Sequence, residues 1–115
     1  MYRIQRNLIN INGKTVRFAY PIRAVEKIGG RYIVLTAVPY EDKTTINNLY
    51  CLNGNGELLW QSEDLNTVYP EYKDSNMPYE NLTITENGIF VSDFMGCCYH
   101  IDPDNGKITG LHYGR

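Results

Sequence analysis

The sequence predicts one all-β domain over residues 1–115, and three observations carry that prediction. Short runs rich in β-branched and aromatic side chains alternate with glycine-bearing turns. No segment keeps an apolar period of 3.6 residues for three turns, which argues against an amphipathic helix of ordinary length. An aromatic, apolar, turn, apolar pattern occurs twice, as NLYCLNGNGELLWQ from Asn48 and as CYHIDPDNGKIT from Cys98.

Residues 4–11 and 14–20 flank Asn12-Gly13, a pair that adopts the positive φ angles of a type I′ turn, and together they read as an N-terminal hairpin. Within 14–20, Val16, Phe18 and Tyr20 alternate with Thr15, Arg17 and Ala19, the signature of a strand with one face in a core. After Pro21, residues 22–28 form a strand that ends at Gly29-Gly30, and 31–38 (RYIVLTAV) form the most apolar strand, expected to be central. The polar stretch 39–47 is a surface loop, and 48–52 with 57–62 make a second hairpin across NGNG. Residues 63–79 hold two prolines and many polar groups and exceed the usual length of a connection, so they read as a long functional loop. Strands at 81–85, 89–93, 97–101 and 107–111 follow, joined by ENG, FMG and DPDNG.

Residues 22–62 and 81–111 can thus be superposed as two four-stranded antiparallel meanders, with Gly30 on Gly88 and Tyr50 on Tyr99. The strand into NG, the IFVS run, then LYCLN or CYHID, a glycine turn and ELLWQ or KITG resemble the blades of bacterial β-propellers, above all the tryptophan-docking repeats of quinoprotein dehydrogenases. The resemblance implies that Trp60 is the docking residue of the first copy and that Gly110 stands there in the second. Two copies and a hairpin are fewer than the four to eight blades of a ring, so the meanders are expected to pack as a sandwich or a partly open barrel. Quinoproteins draw cofactor ligands from a complete ring, so no cofactor is expected here.

Apolar residues make up 43% of the chain and charged residues 21%, a balance that excludes wholesale disorder. Ten Tyr stand against three Phe and one Trp, a bias that suits small sheets and protein interfaces alike. The opening MYRIQRNLININGK is polar at nearly every second position, so no secretory signal is expected, and no apolar run approaches a membrane span. Three cysteines, two of them adjacent, suit a reducing cytoplasm better than a disulfide framework.

Charge is the most informative feature. Residues 1–40 carry seven basic side chains against Glu26, whereas residues 41–104 carry twelve acidic ones against Lys43 and Lys73. The formal net charge of −2 therefore hides a strongly polar molecule. Much of the acidic part falls in loops 39–47 and 63–79, with Tyr40, Tyr69, Tyr72 and Tyr79 interleaved. Such loops are either simply solvated or a binding surface for a basic protein, on which charge steers encounter and aromatic rings supply affinity. A nucleic-acid partner is disfavoured by the acidic segment.

Catalytic and metal chemistry have little support. Asp102 and Asp104 lie in a sequence that a hairpin turn explains, and an EF-hand reading would need Glu where Tyr113 stands. Cys97, Cys98, His100 and His112 are the one set from which a small enzyme or metal protein would be built, but their spacing is not a zinc knuckle, and Cys97 and Cys98 on a strand face opposite ways.

The chain is similar in physical profile to immunity proteins of bacterial toxin systems: short, acidic and without catalytic residues. The expected function is that of a monomeric, non-enzymatic, stoichiometric inhibitor covering the cleft of a basic toxin such as a nuclease. The expected contact residues are Glu41, Asp42, Glu63, Asp64, Tyr69, Glu71, Tyr72, Asp74 and Tyr79, with no membrane, metal or cofactor involved. A propeller-like unit that oligomerises is a further alternative.

Overall fold

A computed structural model describes residues 2–39, 41–42, 45–69 and 77–112. Eleven strands and one helical turn are present among them: β1 (Tyr2–Gln5), β2 (Leu8–Ile11), β3 (Lys14–Arg17), β4 (Ile22–Ile28), β5 (Arg31–Thr36), β6 (Leu49–Leu52), β7 (Leu58–Gln61), α1 (Leu65–Val68), β8 (Tyr79–Thr85), β9 (Gly88–Asp93), β10 (Cys98–Ile101) and β11 (Ile108–His112). They form three separate antiparallel meanders: β1-β2-β3, β4-β5-β6-β7 and β8-β9-β10-β11. The fold is all-β, with both four-stranded meanders present as expected.

The three sheets stack as layers, with the second in the middle. The reason is written in β5, whose side chains alternate between two cores. Tyr32 and Val34, with Leu52 from β6, meet Ile9, Ile11 and Phe18 of the N-terminal sheet. Ile33 and Leu35, with Leu49, Cys51 and Trp60, meet Tyr79, Ile89, Val91, Tyr99, Ile101 and Ile108 of the third sheet. A strand buried on both faces has to be apolar throughout, as RYIVLT nearly is. Layers are also tied by polar bonds. The Trp60 indole Nε1 donates to the Pro103 carbonyl at 2.9 Å. The Asn48 side-chain amide acts as an extra peptide group between sheets: its Nδ2 donates to Thr36 O at 2.6 Å and Tyr79 O at 3.0 Å, while Oδ1 accepts from Tyr79 N at 2.9 Å.

Four expectations need correction. The N-terminal hairpin is a three-stranded sheet, because residues 4–11 are broken at Arg6-Asn7, where Arg6 takes a φ of 56° and reverses the chain. The sheets are open, and none closes into a barrel or a propeller, so the propeller resemblance falls, while the face-to-face packing of the meanders is that of the expected sandwich. Residues 63–79 contain a buried turn of helix with Leu65 in the core, and their last residue, Tyr79, opens β8. The repeat register is also off by one at its start. Ile28 pairs with Arg31 and Thr85 with Gly88, so Gly88 is the counterpart of Arg31, not of Gly30. A shift of one residue exchanges the two faces of a strand. The match of Tyr50 to Tyr99 stands, since these pair with the corresponding Val34 and Val91.

The corrected register explains why the stack ends where it does. The middle sheet docks on the third through Ile33, Leu35, Leu49, Cys51 and Trp60. Their counterparts on the outer face of the third sheet are Phe90, Ser92, Cys98, His100 and Gly110. There His100 stacks on Phe90 with ring centroids 4.7 Å apart, donates from Nε2 to the Asn87 carbonyl at 3.1 Å, and has the Thr109 hydroxyl 3.1 Å from Nδ1. A docking face has been replaced by a polar, internally satisfied cap, the device by which layered repeats terminate.

Candidate functional site

Meanders alternate tight turns and connections between their two ends, and bonds between layers hold like ends together. At one end lie the turns at 12–13, 29–30, 53–56, 86–87 and 102–106, joined by Asn12 Nδ2 to Gly54 O at 2.9 Å and by Arg31 to Pro103 O at 2.9 Å. At the other, Ile22 N donates to Arg6 O at 2.7 Å, Ala37 N to Pro21 O at 2.7 Å, and Asn48 bridges Thr36 and Tyr79. The chain therefore leaves and re-enters the sheets at this connector end for residues 37–48, 62–78 and 94–97. The described parts of both segments singled out in the sequence lie at one end of the molecule.

Of the expected contact residues, Glu71, Tyr72 and Asp74 lie outside the described residues, as does Tyr40. Glu41 and Asp64 are exposed. Asp42 braces its loop: one carboxylate oxygen accepts from the Tyr20 hydroxyl at 2.5 Å and the other from Thr45 N at 3.0 Å. That bond holds the Tyr20 hydroxyl pKa above its ordinary value. Glu63 clamps the third sheet, since its Oε1 accepts from Ile108 N at 3.0 Å and its N donates to Gly106 O at 2.9 Å. Tyr69 packs half-buried against the inner core. Tyr79 is 1% exposed, so its ring is core and presents no surface to a partner. Burial, with Asp93, Asp64 and Glu63 in electrostatic reach, drives its hydroxyl pKa far up.

Sequence reasoning passed over the β9–β10 turn. Phe94 is 65% and Met95 68% exposed at its tip. Asp93, itself buried, holds the turn from within: its Oδ1 accepts from Met95 N and Cys97 N at 3.0 Å each, its N donates to Cys97 O at 3.0 Å, and its O accepts from Gly96 N at 3.2 Å. Loss of solvation raises the Asp93 pKa, while the N–H bonds from Cys97, Met95 and Gly96 pull the other way and nearby Glu80 adds to the rise. The available signal was compositional: FMG is the one hairpin turn lacking Asn, Asp or a Gly pair, yet it is spelled with two large apolar residues.

Charge is segregated by layer. Residues 2–21 carry Arg3, Arg6, Lys14 and Arg17 with no acid, whereas residues 77–112 carry Glu80, Glu86, Asp93, Asp102 and Asp104 against Lys107. Arg31 and Asp104 form an exposed ion pair at 3.4 Å at the turn end, away from the connectors.

Cys97 does not share a face with Cys98 and His100, and His112 stands opposite Cys98 in the β10–β11 register. Cys97 packs toward the core side and Cys98 and His100 lie on the outer face, as alternation requires. Burial and Asp93 raise the Cys97 thiol pKa. Among the described residues no group of three or more His, Cys, Asp or Glu is placed to hold a metal ion. Burial pushes the remaining thiol, Cys51, up to about 11. No helix among the described residues is long and apolar enough to cross a membrane.

The model of one protein family matches residues 1–113. The chain belongs to DUF7957, a domain of unknown function. No curated protein matches it. Among solved structures it is similar to the crystal structure of the computationally designed Ika8 protein, with a TM-score of 0.62 at 11% identity over 99% of this chain and 36% of that one. This member of DUF7957 thus spans about a third of the designed chain, and the likeness concerns fold alone. The family carries no assigned function and no curated protein matches, so the resemblance to immunity proteins, which rested on physical profile alone, is withdrawn.

Proposed function

We propose that this DUF7957 domain is a non-enzymatic, cytoplasmic protein-binding module that uses its connector end to cover a basic surface of another protein. The observation that carries the reading is that the described parts of the 37–48 and 62–78 connections and the 94–97 turn lie at one end, where Glu41, Asp64 and Glu80 stand on the side of the third sheet and Arg6, Arg17 and Arg23 on the side of the N-terminal sheet. Exposed carboxylates on one side of that end raise encounter rates with a cationic partner and set the register of docking. The polar cap on the third sheet supports action as a monomer, because it offers a second copy no apolar face like the one the middle sheet presents. Three unpaired thiols suit a reducing compartment.

The test uses the immobilised full chain and an extract of the cell that makes it. Basic proteins retained at low salt and eluted as salt rises should be lost from the triple variant E41K/D64K/E80K and kept by E86K/D104K, which alters the turn end. Equal retention by both variants, or retention of nothing by the native chain, would overturn the reading.

A further inference from the structure

We propose that the free edge of β1 takes up an extended strand of a partner protein, one that alternates apolar and acidic side chains, as a fourth strand of the N-terminal sheet. The inference is independent of the connector-end reading and concerns a second surface, which runs along the side of the sheet from Tyr2, beside the 12–13 turn, to Gln5. Among the described residues the middle and third sheets have four strands each and the N-terminal sheet three. The outer strands of both four-stranded sheets are bulged: β4 at Arg23, β7 at Leu59, β8 at Glu80 and β11 at Thr109 each carry a residue that the neighbouring strand does not match. Bulges are among the devices that keep sheet edges from pairing with other chains. β1 has none. Its residues pair with β2 in unbroken register, and on its other side alternate N–H and C=O groups point away from the sheet. β3 is regular too, but the 53–56 turn lies against its Lys14 and Val16.

The side chains of β1 define what this edge accepts. Tyr2 and Ile4 pair with Ile11 and Ile9, so they share the face that packs on the middle sheet. Those two isoleucines are fully buried, whereas Tyr2 is 37% and Ile4 43% exposed at the sheet's margin. Ile22 and Val25 of β4 face the same core and are only partly buried. Apolar residues at alternate positions of an added strand become cross-strand neighbours of Tyr2 and Ile4 and extend this core. The positions between them fall on the outer face beside Arg3, with Arg6 at the end of the edge. Residues 2–21 contain no acid, and the first one, Glu26, is on the face of β4 turned to the other core, paired with Ile33. Among the described residues Arg3 and Arg6 make no ion pair, the one present being that of Arg31 with Asp104. Acidic side chains on the incoming strand supply the missing opposite charge. A second copy does not, because pairing β1 with itself sets edge to edge two layers that each carry Arg3, Arg6, Lys14 and Arg17. Main-chain bonds to an open edge give such a complex affinity, and the alternate side chains give it specificity.

The experiment titrates the nitrogen-15-labelled full chain with a short peptide alternating glutamate and valine and, in parallel, with one alternating lysine and valine. The acidic peptide should shift the amide signals of residues 2–5, slow their exchange with solvent, and bind about tenfold or more tighter than the basic one. I4K, which puts a charge on the inward side of the edge, should lose that binding with an unchanged melting curve. R3E should reverse the preference between the two peptides, which a purely structural role for Arg3 would not do. E41K/D64K/E80K should bind the acidic peptide as the native chain does. Binding of neither peptide, equal binding of both, or shifts centred on β7 or on the connector end would overturn the proposal and leave the connector-end reading untouched. Protection of residues 2–5 that grows with protein concentration in the absence of peptide would show that a second copy occupies the edge, and would overturn the choice of an acidic partner strand.

Discussion

Replacing Gly106 by alanine should detach the third sheet from the middle one, and the structure allows the size of the effect to be worked out. A Cβ at Gly106 would lie 2.5 Å from Trp60 Cε3, 2.8 Å from Cδ2 and 3.2 Å from the Gln61 carbonyl, in a backbone with a φ of 77°. The backbone strain of a side chain in that conformation costs about 1–2 kcal/mol. Forcing the indole aside adds about 1–3 kcal/mol of overpacking. Loss of its bond to Pro103 adds about 1 kcal/mol. The sum, about 3–6 kcal/mol, corresponds to a fall in melting temperature of about 15 °C or more for a domain of this size. Gly13 is the control, since its φ of 91° carries the strain while nothing lies within 4 Å of the added Cβ. G13A should therefore cost about 1–2 kcal/mol. Trp60 is the only tryptophan in the chain and is 7% exposed, so its fluorescence reports this interface directly. G106A should show red-shifted emission in the folded state and G13A should not. Native emission in G106A, with a stability within about 0.5 kcal/mol of G13A, would refute the claim that the indole seated on Gly106 couples the sheets.

Asn48→Ala should destabilise the domain by about 3 kcal/mol or more in urea titration, because it leaves Thr36 O, Tyr79 O and Tyr79 N buried without partners. Asp93→Asn tests the carboxyl whose pKa is raised by burial. A raised folded pKa means that the favourable contribution is complete below the ordinary carboxylate range and is lost as pH climbs through the folded value. The asparagine keeps the Oδ1 acceptor and does not titrate, so the urea midpoint of D93N should gain on that of the native chain from pH 3.5 to 7. An opposite slope would mean that the turn's N–H bonds outweigh desolvation. Finally, S92L/H100C/G110W writes the docking residues of the middle sheet onto the outer face of the third. It should self-associate by light scattering under conditions where the native chain is monomeric; a monomeric variant would show that the cap is not what ends the stack.

The strands were legible because their causes are local. Alternation in 14–20 placed Val16 and Phe18 in a core, Asn12-Gly13 takes φ values of 51° and 91°, and the apolar run at β5 marked the central strand. The acidic bias of the later chain and the opposite facing of Cys97 and Cys98 were also readable without coordinates. The register of the repeat was not, because both turns are two residues long but Gly30 lies within its turn whereas Gly88 opens the next strand, and that one-residue difference exchanges faces. Composition cannot distinguish Tyr69 or Tyr79 on a surface from the same rings in a core. Tyr79 became core because Asn48, thirty-one residues earlier, binds its backbone on both sides. What the sequence alone determined, then, was a set of amphipathic strands, their turns and an uneven charge. Which face met which layer, where the stack was capped, and that Phe94 and Met95 stay outside it were decided by packing between segments far apart in the chain, where burial energy acts only once the layers have met.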